Sequence, residues 1–251
     1  MNEIVRSILT AAGGAAINSV FKGPAETFSQ WWYYNFGYNM DIKFRQKKQE
    51  VENLFLNNIV SEVSDIPKDR VQEPKMSVLG PALEASKYYI DDKELRSLFA
   101  KLVAASMDNS KNDILQPAFV EIVKQMTPID AEILINLYEI QDKQKPIVSI
   151  ILENKVTKNY KSVVDHFYIE NISNISHVRI ASSLINLVRL GLVEINYSVF
   201  LSDEEKYLSY KNHPIINELK NKYSDDSNSI ELKKGIIKIT EFGMDFCKIC
   251  I

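Results

Sequence analysis

Residues 79–140 read LGPALEASKYYIDDKELRSLFAKLVAASMDNSKNDILQPAFVEIVKQMTPIDAEILINLYEI, and three helices can be counted in them from spacing alone. Leu95, Leu98, Phe99, Leu102 and Val103 fall at i, i+3, i+4, i+7 and i+8. That places them on one face of a 3.6-residue helix, opposite Asp92, Lys93, Arg96 and Lys101. Asp91 and Asp92 put carboxylates at its start, where unpaired N–H groups and the positive dipole end favour them. After the polar turn Asp108–Asp113, Pro117 stands where a helix would begin, and Phe119, Ile122, Val123 and Met126 repeat the spacing. Thr127 and Pro128 then restart the chain as an N-cap with proline just inside it. Ile129, Ile133, Leu137 and Ile140 form the third apolar stripe. Short connections between such helices predict neighbours packed on one another.

The same residues carry a likeness. The run GPALEASKYYIDDKELRSLFAKLVAASMD, then QPAFVEIVKQMTPIDAEIL, preceded by IPKDRVQEP, resembles the abortive-infection alpha family. This is a bacterial domain family of unknown biochemistry associated with defence against phage. The likeness covers roughly residues 60–140, and the flanks more loosely. Where the family pattern is expected to carry a histidine before the Pro-x-Phe-Val step, this chain has Gln116, so no ligand or proton-transfer role is carried over to that position.

Composition bounds the rest. A chain of 251 residues, 45% hydrophobic and 25% charged, buries a sizeable core and is not globally disordered. Residues 1–140 hold 15 basic and 19 acidic groups and residues 141–251 hold 15 and 14, so neither half is a polycation that would bind phosphates broadly. Cys247 and Cys250 form a C-x-x-C without a thioredoxin-like unit around it or further zinc ligands at suitable spacing. They read as small apolar residues of a last helix in a reducing cytoplasm.

Toward the N-terminus, no secretory signal pattern is present. Ser7–Phe21 is free of charge, but its 15 residues fall short of the ~20 that cross a bilayer. Its small cluster Ala11–Ala16 would let two helix backbones approach closely. Gly23 and Pro24 break the pattern. Phe28, Trp31, Trp32, Tyr33, Tyr34, Phe36 and Tyr38 then place seven aromatic rings in eleven residues, followed by Lys43, Arg45, Lys47 and Lys48. An aromatic belt beside a basic cluster fits a segment lying in a membrane interface; it also fits a core or oligomer contact with a solvated exit. Both readings stand at this point. Val51–Val63 continues as an amphipathic helix, and Asp65–Pro74 is a proline-bounded connection.

Past the polar run QDKQKP (141–146) the composition shifts toward β-branched and aromatic residues. Ile175–Leu190 reads as a helix with Ser176 as cap, Gly191 as its C-terminal residue, and Val178, Ala181, Leu184, Ile185 and Val188 facing inward. VEINYSVFLS alternates as a strand; a helical Asp203–Tyr223 follows, then a strand and last helix in IELKKGIIKITEFGMDFCKIC. LVRLGLVEI and KITEFGMDF resemble a winged helix, a scaffold that implies no single function. In that scaffold Arg179, Asn186 and Arg189, with Lys233 and Lys234 on the returning strand, are the candidate contacts to nucleic acid or a partner protein. Two arginines against Glu194 make a sparse basic footprint, which disfavours nucleic acid.

Catalytic patterns are missing: there is no Gly-rich phosphate loop, H-E-x-x-H or G-x-S-x-G, and His166, His177 and His213 stand singly. Asp91, Asp92 and Asp108 read as cap and turn residues rather than a metal cluster. The sequence therefore predicts a mainly α chain: an N-terminal helical bundle domain followed by a smaller α+β winged-helix-like domain. The expected divisions are a small-residue and aromatic segment (1–50), the helical core (51–142) and the winged-helix-like part (143–251). The resemblance implies abortive-infection defence, and the missing catalytic and metal-ligand patterns predict a non-enzymatic protein without catalytic residues, cofactor or metal. The small-residue and aromatic N-terminal segment predicts a homo-oligomer, cytoplasmic or peripheral at the inner face of the membrane, that responds to a phage-encoded trigger. The alternative is a soluble regulator or sensor whose C-terminal domain binds nucleic acid or a partner protein.

Overall fold

A computed structural model describes residues 42–169 and 175–251, with side chains from residue 50 onward. The described residues divide into two compact units: residues 42–128 with 245–251, and residues 129–169 with 175–244.

In the first unit, helix α1 (Ile42–Ser64) is followed by α2 (Met76–Ser86), α3 (Lys93–Ala105) and α4 (Ala118–Lys124). The central element is α3, which packs against α1, α2 and α4. All five apolar residues that spacing assigns to its inner face are buried, as are Ala100, Ala104 and Ala105. Small side chains on three more positions let the neighbouring helices close around it. Asp92 is its N-cap in extended conformation, without a side-chain hydrogen bond to the helix. Phe55, Ile59 and Val63 face inward from α1. Phe119 meets Phe246 edge-on at 5.4 Å, an arrangement that the ring quadrupoles favour.

The second unit contains α5 (Pro128–Tyr138, from its second residue on), β1 (Gln144–Asn154), β2 (Tyr160–Phe167), α6 (His177–Arg189), β3 (Val193–Asn196), the short α7 (Leu208–Lys211), α8 (Pro214–Tyr223), β4 (Asn228–Ile239) and the first turn of α9 (Glu241–Cys250). The strands form one antiparallel sheet in the order β2-β1-β4-β3, curled as a half-barrel. Strands β1 and β4 pair along their whole length, from Gln144 opposite Lys238 to Asn154 opposite Asn228.

This architecture corrects the expected mainly α bundle with a winged-helix-like end. The helix–Gly–strand run is present, yet β3 pairs with β4 over only four positions, while β4 finds its main partner in β1, a strand the sequence reading did not resolve. The cause is burial on both faces. Ile147, Val148, Ser149, Ile150 and Ile151 are all buried, and a continuous apolar run lacks the alternation that marks a half-buried strand.

One sheet face is covered by the chain between β3 and β4. Tyr207, Tyr210 and Ile216 pack on Val148, Ile150, Phe167 and Ile230. The Tyr207 hydroxyl donates to the Gly235 carbonyl at 2.9 Å and accepts from the Leu201 N–H at 3.1 Å. The Tyr210 hydroxyl donates to the Pro146 carbonyl at 2.6 Å. Buried rings thus bring their own partners to backbone groups that would otherwise lack them.

Gly191 (φ 74°) ends α6 in the left-handed conformation: its N–H bonds the Val188 carbonyl and the Leu192 N–H bonds the Leu187 carbonyl. Thr240 caps α9, accepting from the Gly243 N–H at 2.8 Å and donating to the Gly191 carbonyl at 2.6 Å.

One inward face is rotated from expectation, with Leu184 common to both. On α6 the buried residues are Ile180, Ser183, Leu184 and Leu187, whereas Val178, Ile185 and Val188 are exposed. The apolar residues form one arc over half of the helix, broader than its neighbours cover, so periodicity alone does not choose which part of the arc is buried.

Candidate functional site

Between Pro67 and Pro74 the chain does not run as helix, so its backbone groups find partners elsewhere. They find them in the turn after α3. Val71 bridges Asp108, the Gln72 N–H donates to the Met107 carbonyl at 2.8 Å, and the Asn109 N–H donates to the Arg70 carbonyl at 2.9 Å. The side-chain amides of Gln72 and Asn112 exchange hydrogen bonds of 2.8 and 2.9 Å, fixing the register of the two segments.

That register sets Arg70 against Asp108. Arg70 Nε donates to Oδ1 at 3.2 Å and Nη2 to Oδ2 at 2.6 Å, a bidentate pair. Asp108 also accepts from the Ser110 N–H at 2.9 Å and the Ser110 hydroxyl at 2.7 Å, which closes the 3-10 turn Asn109–Lys111. Burial pushes the Asp108 carboxyl up, but the hydrogen bonds from Arg70 and Ser110 outweigh it and hold the group below the usual carboxylate range.

Beside this pair opens a cavity of about 310 Å³. Glu62, Asp65, Ile66, Pro67 and Arg70 line it from the end of α1 onward, Lys101, Ala104, Ala105, Asp108 and Lys111 from α3 and its turn, and Lys248, Ile249 and Ile251 from the end of α9 onward. Two of its ammonium groups rest on main-chain oxygens: Lys101 Nζ donates to the Ile251 oxygen and Lys111 Nζ to the Lys248 carbonyl at 2.9 Å. Such donors can turn to any oxygen acceptor placed in the cavity, with the added strength of a charged donor. The volume lies at the small end of the range for ligand pockets.

Two motifs face each other across the cavity. Ile66, Pro67 and Arg70 belong to IPKDRVQEP; Lys101, Ala104, Ala105 and Asp108 belong to the end of LRSLFAKLVAASMD. In a comparison with known families, the family described as abortive infection alpha matches residues 43–250. The chain belongs to the abortive infection alpha family. The role that goes with the family is phage defence by abortive infection. No curated protein and no solved structure matches the chain.

Most of the residues expected to meet a membrane or a second copy are not among the described ones. Phe28, Trp31, Trp32, Tyr33, Tyr34, Phe36 and Tyr38 lie outside the described residues, and Lys43, Arg45, Lys47 and Lys48 fall in the first turns of α1. Among the described residues, no helix is long and apolar enough to cross a membrane.

The candidate contacts to nucleic acid or a partner are not gathered into one patch. Arg179 is exposed on α6. Asn186 is committed within the fold: its amide donates to Oδ2 of buried Asp130 at 2.9 Å and its carbonyl oxygen accepts from Arg189 at 2.7 and 3.1 Å. Neighbours on β4 point to opposite sheet faces. Lys233 reaches the Tyr160 hydroxyl at 3.0 Å, and Lys234 pairs with Glu204 and lies 5.5 Å from the Phe200 ring.

Cys247 and Cys250 are buried free thiols, and burial, then the adjacent Cys247, pushes Cys250 well above its ordinary range, with Lys101 opposing. Spacing did not bring out Arg70, Lys101, Lys111 and Lys248 as one set, because they come from three separate parts of the chain. The signal available was their motif context: two of them sit inside the runs that carry the family likeness.

Proposed function

We propose that this chain is a non-enzymatic effector of abortive infection that works by self-association. In this reading the segment from Phe28 to Lys48 meets a membrane surface, and the cavity between the family motifs is where a phage-derived trigger acts. The observation that carries it is the course of α1. This helix begins in the basic run Lys43–Lys48, directly after the seven aromatic residues, and its last turn brings Glu62 to the cavity wall. Its 23 residues span roughly 35 Å, so one rigid element joins the two places. A ligand that draws Lys101 or Lys111 away from its main-chain oxygen alters the wall against which α1 ends.

The test is flotation with liposomes of anionic composition. Trp31→Ser with Trp32→Ser should abolish membrane association while thermal unfolding stays as in the parent protein. Equal flotation of parent and variant would remove the membrane step. Light scattering beside a chain starting at Lys43 tests self-association separately: the full chain should be the larger assembly, and equal masses per chain would end that part of the reading.

A further inference from the structure

The charges around the cavity of the first unit do not all cancel where they stand. Arg70 and Asp108 neutralise each other at its rim, and Lys248 pairs with Asp245 at 3.1 Å. Glu62 and Asp65 remain on one wall. The Asp65 N–H still bonds the Ser61 carbonyl at 3.3 Å, so the helical turn carries on past Ser64 and the two carboxylates share a side of it. Among the described residues neither carboxylate has a hydrogen bond or an ion pair. Lys101 and Lys111 remain on the wall formed by α3 and its turn, resting on the main-chain oxygens of Ile251 and Lys248 and without a carboxylate partner among the described residues. We infer, resting on the role proposed for this cavity, that its ligand is a small zwitterion of the amino-acid type, with its ammonium end at Glu62 and Asp65 and its carboxylate end at Lys101 and Lys111.

The separation of the charges selects that occupant. No ion pair joins these carboxylates to these ammonium groups, although they line the same cavity, and α1 packed on α3 holds the elements that carry them. A simple anion drawn to the lysines would also meet Glu62 and Asp65, and a simple cation would also meet the ammonium groups, so repulsion offsets what attraction gains. A ligand with both ends meets a complementary charge at each. Glu62, Lys101 and Lys111 are half-buried, which makes such contacts stronger than those of fully solvated pairs. Each ammonium has three donors and spends one on a main-chain oxygen, leaving others for a carboxylate. A cavity of about 310 Å³ suits a short chain of carbon atoms between two charged ends.

The test uses the full chain and the ω-amino acids β-alanine, γ-aminobutyrate, δ-aminovalerate and ε-aminocaproate, in which only the distance between ammonium and carboxylate changes. Valerate and pentylamine are the single-charge controls, and affinities are read by ligand-observed NMR titration at low salt. The best-fitting ω-amino acid should bind about tenfold or more tighter than either control. Glu62→Gln with Asp65→Asn should bring it down to the level of valerate, and Lys101→Gln with Lys111→Gln to that of pentylamine. Thermal unfolding without ligand checks that each variant is folded; the carboxylate pair makes no bond within the described residues, so it decides the matter if the lysine variant does not fold. Controls that bind as tightly as every ω-amino acid, no binding by any of them, or a carboxylate variant that binds like the parent would overturn the inference. Failure of the proposed self-association is separate: equal masses per chain in light scattering, with zwitterion binding intact, would end that reading and leave the ligand site standing.

Discussion

Arg70 and Asp108, 38 residues apart, close on each other through two hydrogen bonds at the rim of the cavity, with Asp108 only 5% exposed. Removing the carboxylate leaves Arg70 partly hydrated but deprives the Asn109–Lys111 turn of its acceptor. Asp108→Ala is expected to destabilise the protein by about 1–3 kcal/mol in denaturant unfolding. The pH dependence has a definite sign: because the folded carboxyl titrates below its unfolded value, its contribution is present above the usual carboxylate range and is lost as pH falls through the folded pKa. The variant should therefore show a flatter acid limb than the parent, and parallel limbs would remove Asp108 from the account.

One glycine is fixed by close packing. A Cβ at Gly243 would overlap the Leu192 carbonyl, so Gly243→Ala must push α9 away from the turn after α6 and is expected to cost about 2–4 kcal/mol. Urea unfolding measures the loss, and a neutral Gly243→Ala would contradict the packing described.

Tyr207→Phe keeps the ring and deletes the hydroxyl that joins the Gly235 carbonyl to the Leu201 N–H. Both backbone groups would lose their partner at a fully buried site, at about 1–3 kcal/mol. Faster amide exchange at Leu201 should accompany the loss of stability; unchanged exchange there would show that the hydroxyl does not hold this segment to the sheet.

Tyr197 is pushed up to about 12, by burial and further by the Asp165 charge, against a bond with His166. A phenol whose folded value is raised contributes stability that is complete below about pH 10 and is lost as pH rises toward 12. Ultraviolet titration should show a late phenolate that vanishes in Tyr197→Phe, and a variant curve that superimposes on the parent would assign the late step to another ring.

Local periodicity carried the reading of the first unit. On α3, Leu95, Leu98, Phe99, Leu102 and Val103 are buried as their spacing requires, and Gly191 ends α6 where a left-handed residue was expected. What periodicity did not convey was pairing at a distance. Strand β1 is apolar on both faces and its partner β4 begins 74 residues after its last residue, Asn154 to Asn228. Helix α6 has an apolar arc broader than its neighbours cover; Leu184 is buried as its spacing predicts, and only the sheet that the helix packs on decides that Ile180 and Leu187 join it rather than Val178, Ile185 and Val188. The cavity was legible only as two motifs; that they face one another depends on Arg70 meeting Asp108, which no local spacing encodes.

The first compact unit is written in two instalments, with residues 129–244 between them. Its core lacks Phe246, Cys247 and Cys250 until the second instalment has been made, and the cavity lacks Lys248 and the Ile251 oxygen that holds Lys101. A ribosome that has delivered the whole family-like run and the whole sheet has still not delivered a finished helical unit. The nascent chain cannot close its cavity until residues 245–251 have been made behind the sheet.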